Sequence, residues 1–99
     1  MEDEFPTFSE EEFLKVEKRL RDWFDRKYGR YVDVRPLPWV KGYRGLSIKF
    51  ELPSDKVFST SDVVRELTKI TNWDWDTTSS IVFVKDSMIN IYVQFLRRG

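Results

Sequence analysis

From Phe13 onward, Phe13, Val16, Leu20 and Phe24 recur at three- and four-residue intervals with charged residues between them. That spacing puts them on one stripe of an amphipathic helix, flanked by Trp23. Ser9 followed by Glu12 is a capping box, and Glu10 and Glu11 suit the positive end of a helix dipole. The helix is expected to run to about Tyr28, with Gly29 as its stop. Glu11–Lys15, Glu17–Arg21 and Asp22–Arg26 are spaced for i,i+4 pairing.

The period then changes to two. In "RYVDVRPLPW", Val32 and Val34 alternate with Asp33 and Arg35, which predicts a strand that Pro36 and Pro38 either end or place at a sheet edge. "VKGYRG" reads as a turn or loop. "LSIKFEL" alternates cleanly, with Leu46, Ile48, Phe50 and Leu52 on one face. In "STSDVVRELTKIT" the helical period returns: Ser59, Thr60 or Ser61 can cap the helix, Val63, Leu67 and Ile70 form its stripe, and Asn72 is a C-terminal stop. "IVFV" and "MINIYVQFL" are two further strands joined at Lys85–Ser87, and a short extra strand fits Trp73–Asp76. The expected fold is a single α+β domain over residues 1–99, with residues 1–8 as an acidic arm. Its antiparallel sheet has four to five strands in the order α-β-β-α-(β)-β-β, both helices on one face.

Composition adds limits. Cysteine and histidine are absent, which removes disulfides, thiolate nucleophiles, Cys/His zinc sites and histidine general bases. No nucleophile–base pair or dinucleotide fingerprint can be traced either, so no cofactor is expected. No apolar run approaches the ~20 residues of a membrane span, and the acidic start does not read as a secretory signal, so a protein that stays inside the cell that makes it is expected. Two Asn, one Gln and two Met stand against 17 acids and 17 bases, the balance of proteins from hot environments. Net charge is zero but uneven: residues 1–12 carry six acids and no base, and residues 13–49 carry eleven bases and four acids. That asymmetry reads either as an interaction surface or as a solvated helix face.

Three constellations carry candidate chemistry. Asp74 and Asp76 fall on one face of an extended segment, where two carboxylates can share a divalent cation. No partner ligands are fixed beside them, and acids on a strand or in an Asx-type turn at Asp76 explain them without a metal. Trp73 and Trp75 alternate to one side: buried, they anchor the helix-to-sheet corner; exposed, they are hot-spot or base-stacking residues. Lys41, Tyr43 and Arg44 in "KGYRG", with the terminal Arg97 and Arg98, combine cations, an aromatic ring and glycines, as nucleic-acid contacts do. The glycine spacing is not that of a P-loop.

As a whole the chain resembles the small accessory proteins of archaeal filamentous and rod-shaped viruses, those of Acidianus filamentous viruses in particular. "NWDWDTTSSIVFVKDSMINIYVQFLRR" (72–98) is similar to the C-terminal part of a rod-shaped-virus inhibitor of subtype I-D CRISPR immunity. There too, a tryptophan-containing segment leads to an aromatic-Val-Lys-Asp turn, here Phe83 to Asp86, and then to a long strand ending in basic residues. The resemblance implies a thermostable, non-enzymatic viral protein that binds a host or viral protein, a homodimer being one of its forms. That inhibitor is the more acidic of the two; here Asp74 and Asp76 and the N-terminal acids are the acidic surface on offer. Trp73, Asp74, Trp75 and Asp76 are the expected partner contacts. Lys41, Tyr43, Arg44, Arg97 and Arg98 are the alternative, for nucleic acid.

Overall fold

The computed structural model describes residues 6–28, 32–53, 55–86 and 88–99. Two helices, α1 (Glu10–Tyr28) and α2 (Thr60–Thr71), lie on one face of an antiparallel sheet built from β1 (Val32–Pro38), β2 (Tyr43–Leu52), β3 (Trp75–Lys85) and β4 (Met88–Arg97). The spatial order is β1-β2-β4-β3, so α2 and the step to β3 carry the chain past the place that β4 then fills. This is the α+β class and the α-β-β-α-β-β order that the alternation of periods predicts.

The expected helix stripe is the buried one: Phe13, Val16, Leu20 and Phe24 all face inward, and Tyr28 extends the stripe by a turn. The capping box forms reciprocally, the Ser9 N–H donating to Glu12 Oε1 at 2.9 Å and the Glu12 N–H to Ser9 Oγ at 3.1 Å. The stop expected at Gly29 lies outside the described residues. Of the i,i+4 pairs, Glu17–Arg21 closes at 3.1 Å, and Arg21 also donates to the Val32 carbonyl, tying α1 to the start of β1. In α2, Ser59 holds the N-cap position without a side-chain cap bond. Asn72 ends the helix in the left-handed region (φ 62), and its N–H donates to the Thr68 carbonyl.

The core forms where the helices cover the sheet. Leu46, Ile48, Phe50 and Leu52 of β2 meet Ile91, Val93 and Phe95 of β4 beneath α1 and α2. Two aromatic groups close its ends. Phe24, Tyr28, Phe50 and Phe58 pack at one end, with Phe50 and Phe58 centroids 4.8 Å apart, and Phe8, Phe13, Tyr43, Trp73 and Trp75 pack at the other. Aromatic pairs at such distances add about 0.5–1.5 kcal/mol each beyond burial.

Several boundaries differ from expectation. Pro36 lies within β1 and Pro38 is its last residue, and the strand is a sheet edge, so the two expected roles of the prolines are combined. Tyr43, Arg44 and Gly45 belong to β2, which leaves residues 39–42 as the turn, closed by the Trp39 N–H on the Gly42 carbonyl at 3.0 Å. Trp73–Asp76 is not a separate strand: β3 starts at Trp75 and runs into "IVFV" with an irregularity between Thr77 and Ser79. A bulge absorbs one extra residue, so the ladder survives what reads in sequence as a break. Asp76 therefore sits in a strand and not in an Asx turn. Of the expected acidic arm, residues 1–5 lie outside the described residues. Phe8 is core: it is 3% exposed and exchanges two backbone bonds with Tyr43.

Candidate functional site

The segment from Thr71 to Asp76 is a corner built around one hydroxyl. Thr71 Oγ1 donates to the Leu67 carbonyl at 2.7 Å, accepts the Trp73 N–H at 3.1 Å and accepts Trp75 Nε1–H at 3.0 Å. One donor and two acceptor sites are thereby all used, and the two indoles are fixed on the same side, with ring centroids 6.0 Å apart. Beyond them the Asp74 N–H donates to the Gly99 carbonyl, and the Arg98 N–H to the Asp74 carbonyl. The ladder to the C-terminal end of β4 thus continues past Trp75.

The four residues expected to contact a partner separate into distinct environments. Trp75 is 3% exposed and lies in the core, where its ring meets Phe8. Trp73 is half-buried and packs on the outside of the same cluster, with the Arg97 guanidinium 3.8 Å from its ring centroid. Stacking of this kind is worth about 0.5–2 kcal/mol. Asp74 and Asp76 are exposed, and Asp76 Oδ1 lies 3.3 Å from Arg98 Nη1. No group of three or more His, Cys, Asp or Glu side chains converges among the described residues.

Of the nucleic-acid set, the three arginines and Tyr43 each have partners within the chain. Arg97 stacks on Trp73 and donates to the Thr7 carbonyl at 2.8 Å. Arg98 pairs with Asp76, Arg44 lies over the Trp39 ring, and the Tyr43 ring packs edge-on against Phe8 and Phe13. Lys41 is exposed in the turn. The glycines of "KGYRG" have steric tasks. Gly42 holds φ +87, where an added Cβ would sit 2.6 Å from the Phe8 carbonyl oxygen; at Gly45 an added Cβ would sit 2.1 Å from that of Phe95.

What sequence reasoning missed is the groove beside Trp73. It encloses about 410 Å³ between α1 and the end of α2, with Val16, Ile70 and Trp73 as apolar lining. Lys15, Lys18 and Arg19 stand around it against the single carboxylate of Glu12. These three cations are visible in sequence as the polar side of α1. Their convergence on Trp73 depends on how α2 packs against α1, which periodicity does not specify. The opposite end of the helix pair is held ionically. Lys27 Nζ lies 3.4 Å from Asp62 Oδ2, and Arg65 bonds the other oxygen of Asp62. The Arg65 hydrogen bond, with Lys27 adding to it, holds the Asp62 carboxyl below the usual carboxylate range. Burial, with Asp62's charge nearby, pushes the Tyr28 hydroxyl up.

No helix among the described residues is long and apolar enough to cross a membrane. No protein-family model, curated protein or solved structure matches the chain.

Proposed function

We propose that the protein is a non-enzymatic binding protein that acts by protein–protein contact, and that its contact site is the groove at Trp73. The observation that carries this reading is the meeting of a half-buried tryptophan with three cations in one concavity. Tryptophan and arginine are the side chains most often found to dominate interfaces. The charge balance of the groove selects the occupant: an acidic segment of a partner protein that inserts an apolar side chain between Val16, Ile70 and Trp73. The likeness of residues 72–98 to an inhibitor of CRISPR immunity, and the charge-rich, Asn- and Gln-poor composition, narrow the proposal to a thermostable viral accessory protein whose partner belongs to host defence.

The test is selection from a displayed random-peptide library on the folded protein. Acidic peptides with a central apolar residue are expected to enrich, Trp73→Ala to abolish the enrichment, and Lys15→Glu/Arg19→Glu to reverse the charge selected. Trp75→Ala is not a useful probe of contact, because Trp75 is core. Failure to enrich acidic sequences, or enrichment indifferent to Trp73, would sink the reading. Nucleic acid is the competing occupant of a basic, aromatic groove. Binding of single-stranded DNA that weakens steeply with salt and is lost in the same variants would decide for it.

A further inference from the structure

Among the described residues, the β3 strand is an open sheet edge. It hydrogen-bonds β4 on one side and no described strand on the other. Beyond Trp75 every residue of the strand is exposed, including four successive apolar ones: Ile81, Val82, Phe83 and Val84 are 55%, 62%, 46% and 73% exposed. Val82 and Val84 stand opposite Ile91 and Ile89 and so face the helix side. Ile81 and Phe83 stand opposite Tyr92 and Asn90 and so face the other side. A long, apolar, unpaired edge is a template for another strand, and the question is which.

We infer that the strand pairs with the same strand of a second copy, antiparallel about a two-fold axis at Val82, to make one continuous eight-stranded sheet. Three observations select this partner. The regular part of the strand is bounded by the irregularity after Thr77 and by the left-handed Asp86 (φ 53), and Val82 is the midpoint of the segment 79–85 between them. A two-fold axis through an antiparallel edge is perpendicular to the sheet and keeps both helix layers on one side, so inward residues must meet inward residues. Of the registers this allows, the one centred on Val82 pairs Ile81 with the second copy's Phe83, and Val84 with its Ser80. Shifting by two residues lays Ile81 against Lys85 in one direction and Val84 against the bulge at Thr78 in the other. Finally, the far edge of the sheet is closed to pairing: β1 is short, carries Pro36 and Pro38 and has its own irregularity at Leu37/Pro38. One open edge per molecule gives a closed pair and not a fibre.

The inference is independent of the groove, which lies over the helix pair, and the chain's lack of cysteine makes its test clean. Sedimentation of the full chain from about 1 μM to about 1 mM spans the affinities an edge contact of this size can reach. A monomer–dimer equilibrium is expected, with Val82→Lys raising the dissociation constant at least about tenfold, since like charges then meet across the axis. Under oxidation, Val82→Cys is expected to give a disulfide-linked dimer. Val84→Cys is not, because its two copies would be about 13 Å apart, four strand residues, beyond the ~7 Å limit between bridged Cα atoms. A chain that is monomeric throughout, a dimer indifferent to Val82→Lys, or cross-linking at position 84 in preference to 82 would each overturn the proposal. Peptide selection by the groove would be untouched by any of these results, and loss of that selection would leave this one standing.

Discussion

The two edges of the sheet are made of similar residues and end up in opposite situations. On β1, Val32 and Val34 alternate inward and are 2% and 3% exposed beneath α1. On β3, Val82 and Val84 also alternate inward, opposite Ile91 and Ile89, and stand largely in solvent. The difference is helix coverage. Arg21 ties α1 to β1 through the Val32 carbonyl. α2 meets the sheet where Trp75 is buried and leaves the rest of β3 uncovered. Each edge also treats its open backbone differently: β1 removes donors with two prolines, and β3 keeps all of its own. A valine's place on the inward side of a sheet therefore says little about its contribution to stability until the layer above it is known.

The largest effect that tests this contrast is at the one covered position of β3. Trp75→Ala should cost about 3–5 kcal/mol, the range for a large buried aromatic. It would also leave the Thr71 hydroxyl without its indole donor. Denaturant unfolding would measure it; a loss under about 1 kcal/mol would mean that β3 is not anchored at that end. Next comes a matched pair. Val34→Ala should cost about 2 kcal/mol, from two buried carbon groups at ~0.8 kcal/mol each plus the cavity left behind. Val84→Ala should fall within about 0.5 kcal/mol of the parent in the monomer. Equal costs would erase the distinction between the edges.

How far this was legible in the sequence follows from the same contrast. Both helices, their stripes, the Ser9–Glu12 box and the Asn72 stop are local, and each is stated by its own short stretch of sequence. The central strands are legible because Leu46–Leu52 alternates without interruption. The burial of Trp75 against the half-burial of Trp73 is not: the two alternate identically in sequence and both meet Phe8, far away in the chain, but Trp75 lies inside the core while Trp73 packs on its outside with Arg97 over its ring. The continuity of β3 was hidden for a local reason, since "DTTSS" reads as a turn and the structure uses it as a bulged strand. The groove and the open edge are products of helix placement, which no single segment encodes.

A smaller effect is expected from opening the protected edge. Pro36→Val together with Pro38→Val restores two backbone donors to β1 and leaves the core residues Val32 and Val34 in place. Monomer stability should change by less than about 1 kcal/mol. With both edges then able to pair, assembly is no longer closed, so light scattering on concentration should grow beyond the size of a pair. Addition of Val82→Lys should return it to small species. Scattering unchanged by the proline replacements would mean that something other than the missing donors protects β1.

The smallest expected effect concerns what fixes α2 against α1, and hence how much of β3 is left uncovered. Lys27 of α1 and Arg65 of α2 converge on Asp62 and hold its carboxyl below the usual value. A carboxyl depressed in the folded state contributes stability above its unfolded value, about 3.9, and loses that contribution as the pH falls through the folded value. Asp62→Asn should therefore melt slightly below the parent at pH 7. The gap should close in acid, once the parent's own carboxyl is protonated. Because the three side chains are largely at the surface, high salt at pH 7 should narrow the gap as well. Thermal melts of parent and variant at pH 7 and near pH 2 would measure both. A deficit as large in acid as at neutrality would show that Asp62 holds the helix pair through hydrogen bonds alone and not through its charge.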